Sequence, residues 1–197
     1  MEQNKLKAKD LITTAIFTVL FALVVFACSM TLGMIPFGFP FLVSAIGLTG
    51  GVVWTYMRVK VPKRFTITIQ CVVSGLLFFI VGTHWGTVVG CVVGGILADS
   101  ITSMGSYKNF KLTSAGFAVF CLCVHCGAFM VPLVARDYYY DYCVTNGMTA
   151  EWTNAFLGFM SWPVMLGTGA LAVLCAALGI LIGKTILKKH FVKGGIV

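Results

Sequence analysis

Apolar residues run in six blocks along the chain, at 11–33, 39–57, 65–82, 85–104, 113–134 and 162–187, and of the acidic and basic residues only Asp99 and Lys184 fall inside one. The blocks are apolar throughout, without the one-sided stripe of a helix that lies on a soluble core. A helix rises about 1.5 Å per residue, so roughly 20 apolar residues cross the hydrocarbon layer. Each block is read as a spanning helix. The expected fold is an all-α integral membrane protein of six transmembrane helices in one domain, residues 1–197.

Breakers separate the blocks: Pro36 and Pro40 after the first, Pro62 after the second, Gly105 after the fourth. The longest connection, 135–161, holds Tyr138, Tyr139, Tyr140 and Tyr142, then an amphipathic stretch at 152–159 suited to lie on a membrane surface. Ser161 before Trp162-Pro163 marks a helix start, because proline is accepted in a first turn. Lys5, Lys7 and Lys9 resemble the head of a secretion signal. The apolar run behind them exceeds the usual roughly 7–15 residues, and no small-x-small cleavage site follows, so it is read as a retained first helix.

Charge gives the topology. With both termini cytoplasmic, thirteen of the fourteen Lys and Arg residues lie inside, in the head, the second and fourth connections and the tail. Arg136 alone faces out, while the rest lie on the cytoplasmic side that the positive-inside bias favours. The same placement accounts for the net charge of +8 without nucleic acid. Composition agrees: 59% of the residues are hydrophobic and 10% charged, against roughly 25% charged in soluble domains. Of eight cysteines only Cys143 falls outside the blocks, so no disulfide framework is expected. The plasma membrane is the expected location.

Several motifs invite chemistry. Gly179 to Thr185 resembles a phosphate-binding loop, but three residues separate its glycines where four are needed, and no strand precedes it. Gly82, Gly86, Gly90 and Gly94 recur once per helical turn, a face that lets another helix approach closely or slide. Cys121, Cys123, His125 and Cys126 form C-x-C-x-H-C within one block. They point around the helix and cannot close a tetrahedral metal site, so no metal is assigned. Asp99 is costly in a span and is read as a structural or coupling group. No catalytic constellation or cofactor motif is present, so the chain is not expected to be an enzyme. At the outer side His84, Trp85, Arg136, Asp137, Tyr140 and Trp162 combine aromatic walls with a few polar groups, the usual make-up of a small-molecule site. Rings suit a flat organic cargo, vitamin-like or nucleobase-like, and Arg136 suits an anionic or carbonyl group.

The opening Lys-Ala-Lys-Asp-Leu-Ile-Thr-Thr-Ala-Ile-Phe-Thr, the loop Arg58-Val-Lys-Val-Pro-Lys63, Thr83-His84-Trp85, Leu97-Ala98-Asp99, Ala135-Arg136-Asp137 and the ending from Gly183-Lys184 through Lys188-Lys189-His190-Phe191 to Gly195-Ile196-Val197 together resemble the Trep_Strep family. The resemblance implies a substrate-binding (S) component of an energy-coupling factor (ECF) transporter, an ABC-type importer. It also implies an outward pocket, a membrane coupling (T) protein and two ATPase subunits. The implied contact face on the first helix is Thr14, Thr18 and Ala22, small residues where alanines are usual. A self-sufficient secondary transporter or channel, or a metal-ion uptake subunit, is the alternative.

Overall fold

The computed structural model describes residues 6–189; Lys5, Lys193 and the ending His190 to Val197 lie outside the described residues. The described residues form helices and turns only: α1 (Ala8–Cys28), a π turn (Ser29–Gly33), a 3-10 turn (Phe39–Phe41), α2 (Leu42–Lys60), α3 (Thr66–Ile80), α4 (Trp85–Ser103), α5 (Phe110–Val134), α6 (Arg136–Thr145), α7 (Ala150–Phe159) and α8 (Trp162–Leu187).

Five of these are long and apolar enough to cross a membrane: Ala8–Gly33, Phe39–Lys60, Trp85–Ser103, Phe110–Val134 and Trp162–Leu187. The third expected span, 65–82, forms the 15-residue α3. At about 1.5 Å per residue α3 covers roughly 22 Å, short of the hydrocarbon thickness. Its apolar ends, Val81 and Gly82, go into a turn in which Gly82 takes φ of 102°. Gly82 therefore leaves the expected glycine ladder, which keeps three rungs on α4.

The long helices form a ring. α1 packs on α2 and α3, α4 lies between α3 and α5, and α8 lies between α5 and α2, while α5 also reaches across to α2. Small residues set the closest contacts. Gly90 lies so near α5 that a β-carbon would stand 2.5 Å from the Cys123 carbonyl. Gly51 meets the Gly179 backbone at 2.6 Å by the same measure. In lipid, helices associate through such close packing and not through apolar attraction. The ladder is thus an internal α4–α5 seam, not a sliding face. Trp54, Phe117, Phe120 and Phe21 fill the middle, with ring centroids 4.6–6.4 Å apart.

Contacts sort the two ends. At the basic end Lys63 pairs with Asp10 at 2.7 Å, Arg58 lies over the Tyr107 ring and Lys184 over Phe110. Asp10 also accepts the Lys7 N–H at 2.8 Å, which satisfies an orphan donor at the positive end of α1. At the opposite, aromatic end, α6 and α7 fold over the bundle. The amphipathic stretch 152–159 is thus part of a cap whose Thr153, Phe156 and Leu157 are buried.

Candidate functional site

The cap is built from local chemistry. Thr149 begins α7 by accepting the Trp152 N–H at 3.2 Å. At the other end of α7 the last carbonyls have no helical partners. Arg136, the first residue of α6, donates to two of these, the oxygens of Leu157 and Met160. A guanidinium on the negative end of a helix is favoured by charge and by its fork of donors. The Trp152 indole N–H reaches the Met34 carbonyl at 3.1 Å and the Tyr142 hydroxyl the Gly82 carbonyl at 2.8 Å, tying the cap to the connections beside it.

Beneath the cap lies an aromatic box. Phe39 meets Phe129, Trp152 and Phe156 edge-on at 5.2–5.5 Å. Below Phe129, at 4.8 Å, sits the His125 ring, 1% exposed. Its Nε2 lies 2.9 Å from the Met165 carbonyl, an acceptor only, so Nε2 carries the proton. Nδ1 is then a bare acceptor with no hydrogen-bond partner among the described residues. Sequence reasoning set His125 aside as part of the thiol cluster and passed over Phe39, Phe129 and Phe156, because phenylalanines in apolar blocks carry no signal of convergence. The amphipathic stretch was the one hint.

The six outer residues expected to line a pocket are not brought together. His84 is buried and is used twice: Nδ1 accepts the Gly86 N–H at 3.1 Å, capping α4, and Nε2 contacts the Ala128 carbonyl at 2.9 Å. Those contacts fit the neutral ring protonated on Nε2. Burial lowers its pKa from 6.5, against the Ala128 bond. Arg136 is committed to α7. Asp137 is exposed on the first turn of α6, and Tyr140 is half-buried against the core. Trp162 is exposed at the start of α8. Trp85 lines an apolar groove of about 640 Å³ on the α4–α5 seam, together with Val89, Val93, Met130 and Tyr138.

The other sequence motifs also find places. Cys121 is buried in the core, while Cys123 and Cys126 line the α4–α5 groove, so the cysteines of the C-x-C-x-H-C motif diverge around α5. Asp99 accepts the Phe65 N–H at 2.7 Å and contacts the Thr68 hydroxyl at 3.4 Å. It thereby holds the turn before α3, where Phe65 takes a left-handed φ of 67°. Thr14 and Thr18, expected on a partner face, are 2% and 3% exposed and serve the chain's own α1 packing. Their hydroxyls fold back onto the Asp10 and Thr14 carbonyls, which lets these threonines sit inside an apolar contact. Ala22 is half-buried. The open face of α1 is Ile12, Ile16, Val19, Leu23 and Phe26.

Long apolar helices, an apolar outer surface and, Arg136 apart, basic residues gathered at one end define a multi-pass integral membrane protein. Residues 8–193 match the family described as "hypothetical bacterial integral membrane protein (Trep_Strep)", and the chain belongs to that family. No curated protein and no solved structure matches it.

Proposed function

We propose that the chain is the substrate-capturing S component of an ECF-type importer, taking a small organic nutrient at the aromatic end. The observation that carries this reading is the architecture of that end: two short helices held over a box of rings, with an unpartnered acceptor on His125 below. A buried acceptor without a donor costs about 1–3 kcal/mol. A flat cargo bearing an N–H or O–H would satisfy His125 Nδ1 and replace the contacts among Phe39, Phe129, Trp152 and Phe156 by stacking. In this reading Arg136 and His84 position the cap and α4, and do not touch cargo.

Both termini and the basic end face the cytoplasm, and the cap faces out, in accord with the charge bias. The partners are a coupling protein and two ATPase subunits. The exposed face of α1 around Ile16 and Val19 is the surface offered to the coupling protein, since Thr14 and Thr18 are enclosed. The test is equilibrium binding of whatever small compound copurifies with the chain, identified by mass spectrometry. Trp152→Ala and His125→Phe should weaken binding at least tenfold, while Cys123→Ala leaves it unchanged. Loss in Cys123→Ala with no effect at Trp152 would contradict the aromatic site and favour metal-ion uptake.

A further inference from the structure

Ten buried side-chain polar atoms have no hydrogen-bond partner among the described residues, and eight of them belong to Trp54, Arg58, Gln70, Ser74, Asp99 and Tyr107. The other two are Thr83 Oγ1 and His125 Nδ1, toward the aromatic end. Arg58, Tyr107 and Asp99 share one region of the fold. Arg58 lies over the Tyr107 ring with its Cζ 4.6 Å from the centroid, and both are within electrostatic range of Asp99. Trp54 is one turn from Arg58 on the buried face of α2. Thr66, Gln70 and Ser74 follow each other at one-turn intervals on the buried face of α3, climbing from the turn that Asp99 holds. α1 packs on both α2 and α3, which are not close neighbours themselves, and the buried polar groups of the two helices turn into the bundle beside it.

The pattern of missing bonds is specific. Arg58 donates Nη1 to the Val61 carbonyl at 3.0 Å, while Nε and Nη2, the paired donors of one guanidinium edge, are idle. Asp99 uses Oδ2 and leaves Oδ1 idle. Opposite charges stand near one another, each with free valence, and no direct bond joins them. A guanidinium at 2% exposure does not persist dry with three of its five N–H donors unmet. Dispersion cannot compensate, and no group among the described residues supplies the acceptors. The charges nearly balance, so a neutral bridging species with both donor and acceptor capacity fits better than an ion. Water has that chemistry, at two to four hydrogen bonds each.

We propose that the interior of the bundle between α2 and α3 is a hydrated chamber, entered from the basic end past Tyr107, in which waters bridge Arg58 to Asp99 and reach Gln70 and Ser74. The chamber makes the bundle asymmetric: wet behind, with aromatic rings sealing the cap end. It places bulk solvent within the membrane-embedded half of the chain from one side only. The inference is independent of what the protein carries.

Cysteine reactivity in the full-length chain tests it, with the eight native cysteines replaced and the variants in membrane vesicles. A small water-soluble thiosulfonate reacts with thiolate, which forms in a wet environment and not in a dry one. Pro62→Cys reports access to the basic end and Met148→Cys access to the aromatic end. Gln70→Cys and Ser74→Cys should react in the preparation that labels Pro62→Cys and not in the one that labels only Met148→Cys. Leu76→Cys, on the exposed apolar face of α3, should stay unlabelled in both. If Gln70→Cys and Ser74→Cys are silent from both ends, or react only from the aromatic end, the chamber is wrong. Should those variants not fold, hydroxyl-radical footprinting of the unaltered chain in ¹⁸O water decides. Trp54, with no exposed surface, takes up ¹⁸O if the chamber is wet and stays unoxidised if it is dry.

Discussion

Replacing Arg136 by alanine removes the side chain that closes the end of α7. Its guanidinium donates to the Leu157 and Met160 carbonyls, the second at 3.3 Å. A hydrogen bond to a charged group contributes about 1.5–3 kcal/mol when enclosed. Here the residue is largely exposed and one bond is long, so solvent takes back much of that and the pair together is worth ~2 kcal/mol. At 1.4 kcal/mol per tenfold, the open population of the cap should rise about 30-fold. Amide hydrogen exchange over 150–160 reads that population directly, because local opening sets the exchange of these amides. Arg136→Ala should speed exchange there and leave α2 and α8 near their original rates. Arg136→Lys keeps the charge without the fork and should fall between. Unchanged protection in Arg136→Ala would refute the assignment of Arg136 to the cap and return it to the cargo.

Three further outcomes follow from the same geometry. In intact cells an impermeant thiol reagent should label Met148→Cys and not Lys60→Cys on a background without native cysteines; the opposite pattern overturns the orientation. Thr18→Leu should overpack the enclosed face of α1 and cost about 1–3 kcal/mol, read as a lower melting temperature, whereas a melting temperature equal to the parent's would place Thr18 on an open surface. His84 is held neutral by burial, so its folded pKa lies below 6.5 and the unfolded chain takes up its proton first. Its contribution to stability is complete above pH 6.5 and declines as the pH falls below that value. The drop in melting temperature between pH 7 and pH 5 should therefore shrink in His84→Asn, and an undiminished drop would assign the titration elsewhere.

The long spans were legible because membrane helices need unbroken apolar length, a property of the sequence alone. The five spans found begin and end close to the expected blocks, and the described basic residues other than Arg136 lie toward one end of the bundle. α3 was overestimated because composition does not show where a positive-φ glycine such as Gly82 ends a helix. The cap was half legible: its amphipathic stretch was visible, but not that it would fold onto the bundle instead of lying on the bilayer. The site was the least legible. Tryptophan, arginine and histidine stand out in an apolar sequence, yet here they are the residues with structural duties: His84 caps α4 and Arg136 closes α7. The rings that converge under the cap come from the 3-10 turn, α5 and α7, and only tertiary contact joins them.

As the proposed S component, the chain would capture a cargo and not carry it across alone. Once the copurifying compound is known, its radiolabelled form should bind the purified chain, with no ATP required. Proteoliposomes holding the chain by itself should accumulate none of it under a proton or sodium gradient. Uptake should appear only when a coupling protein and two ATPase subunits are added with ATP. Gradient-driven accumulation by the chain alone would rule out the S-component role and make this protein a self-sufficient transporter.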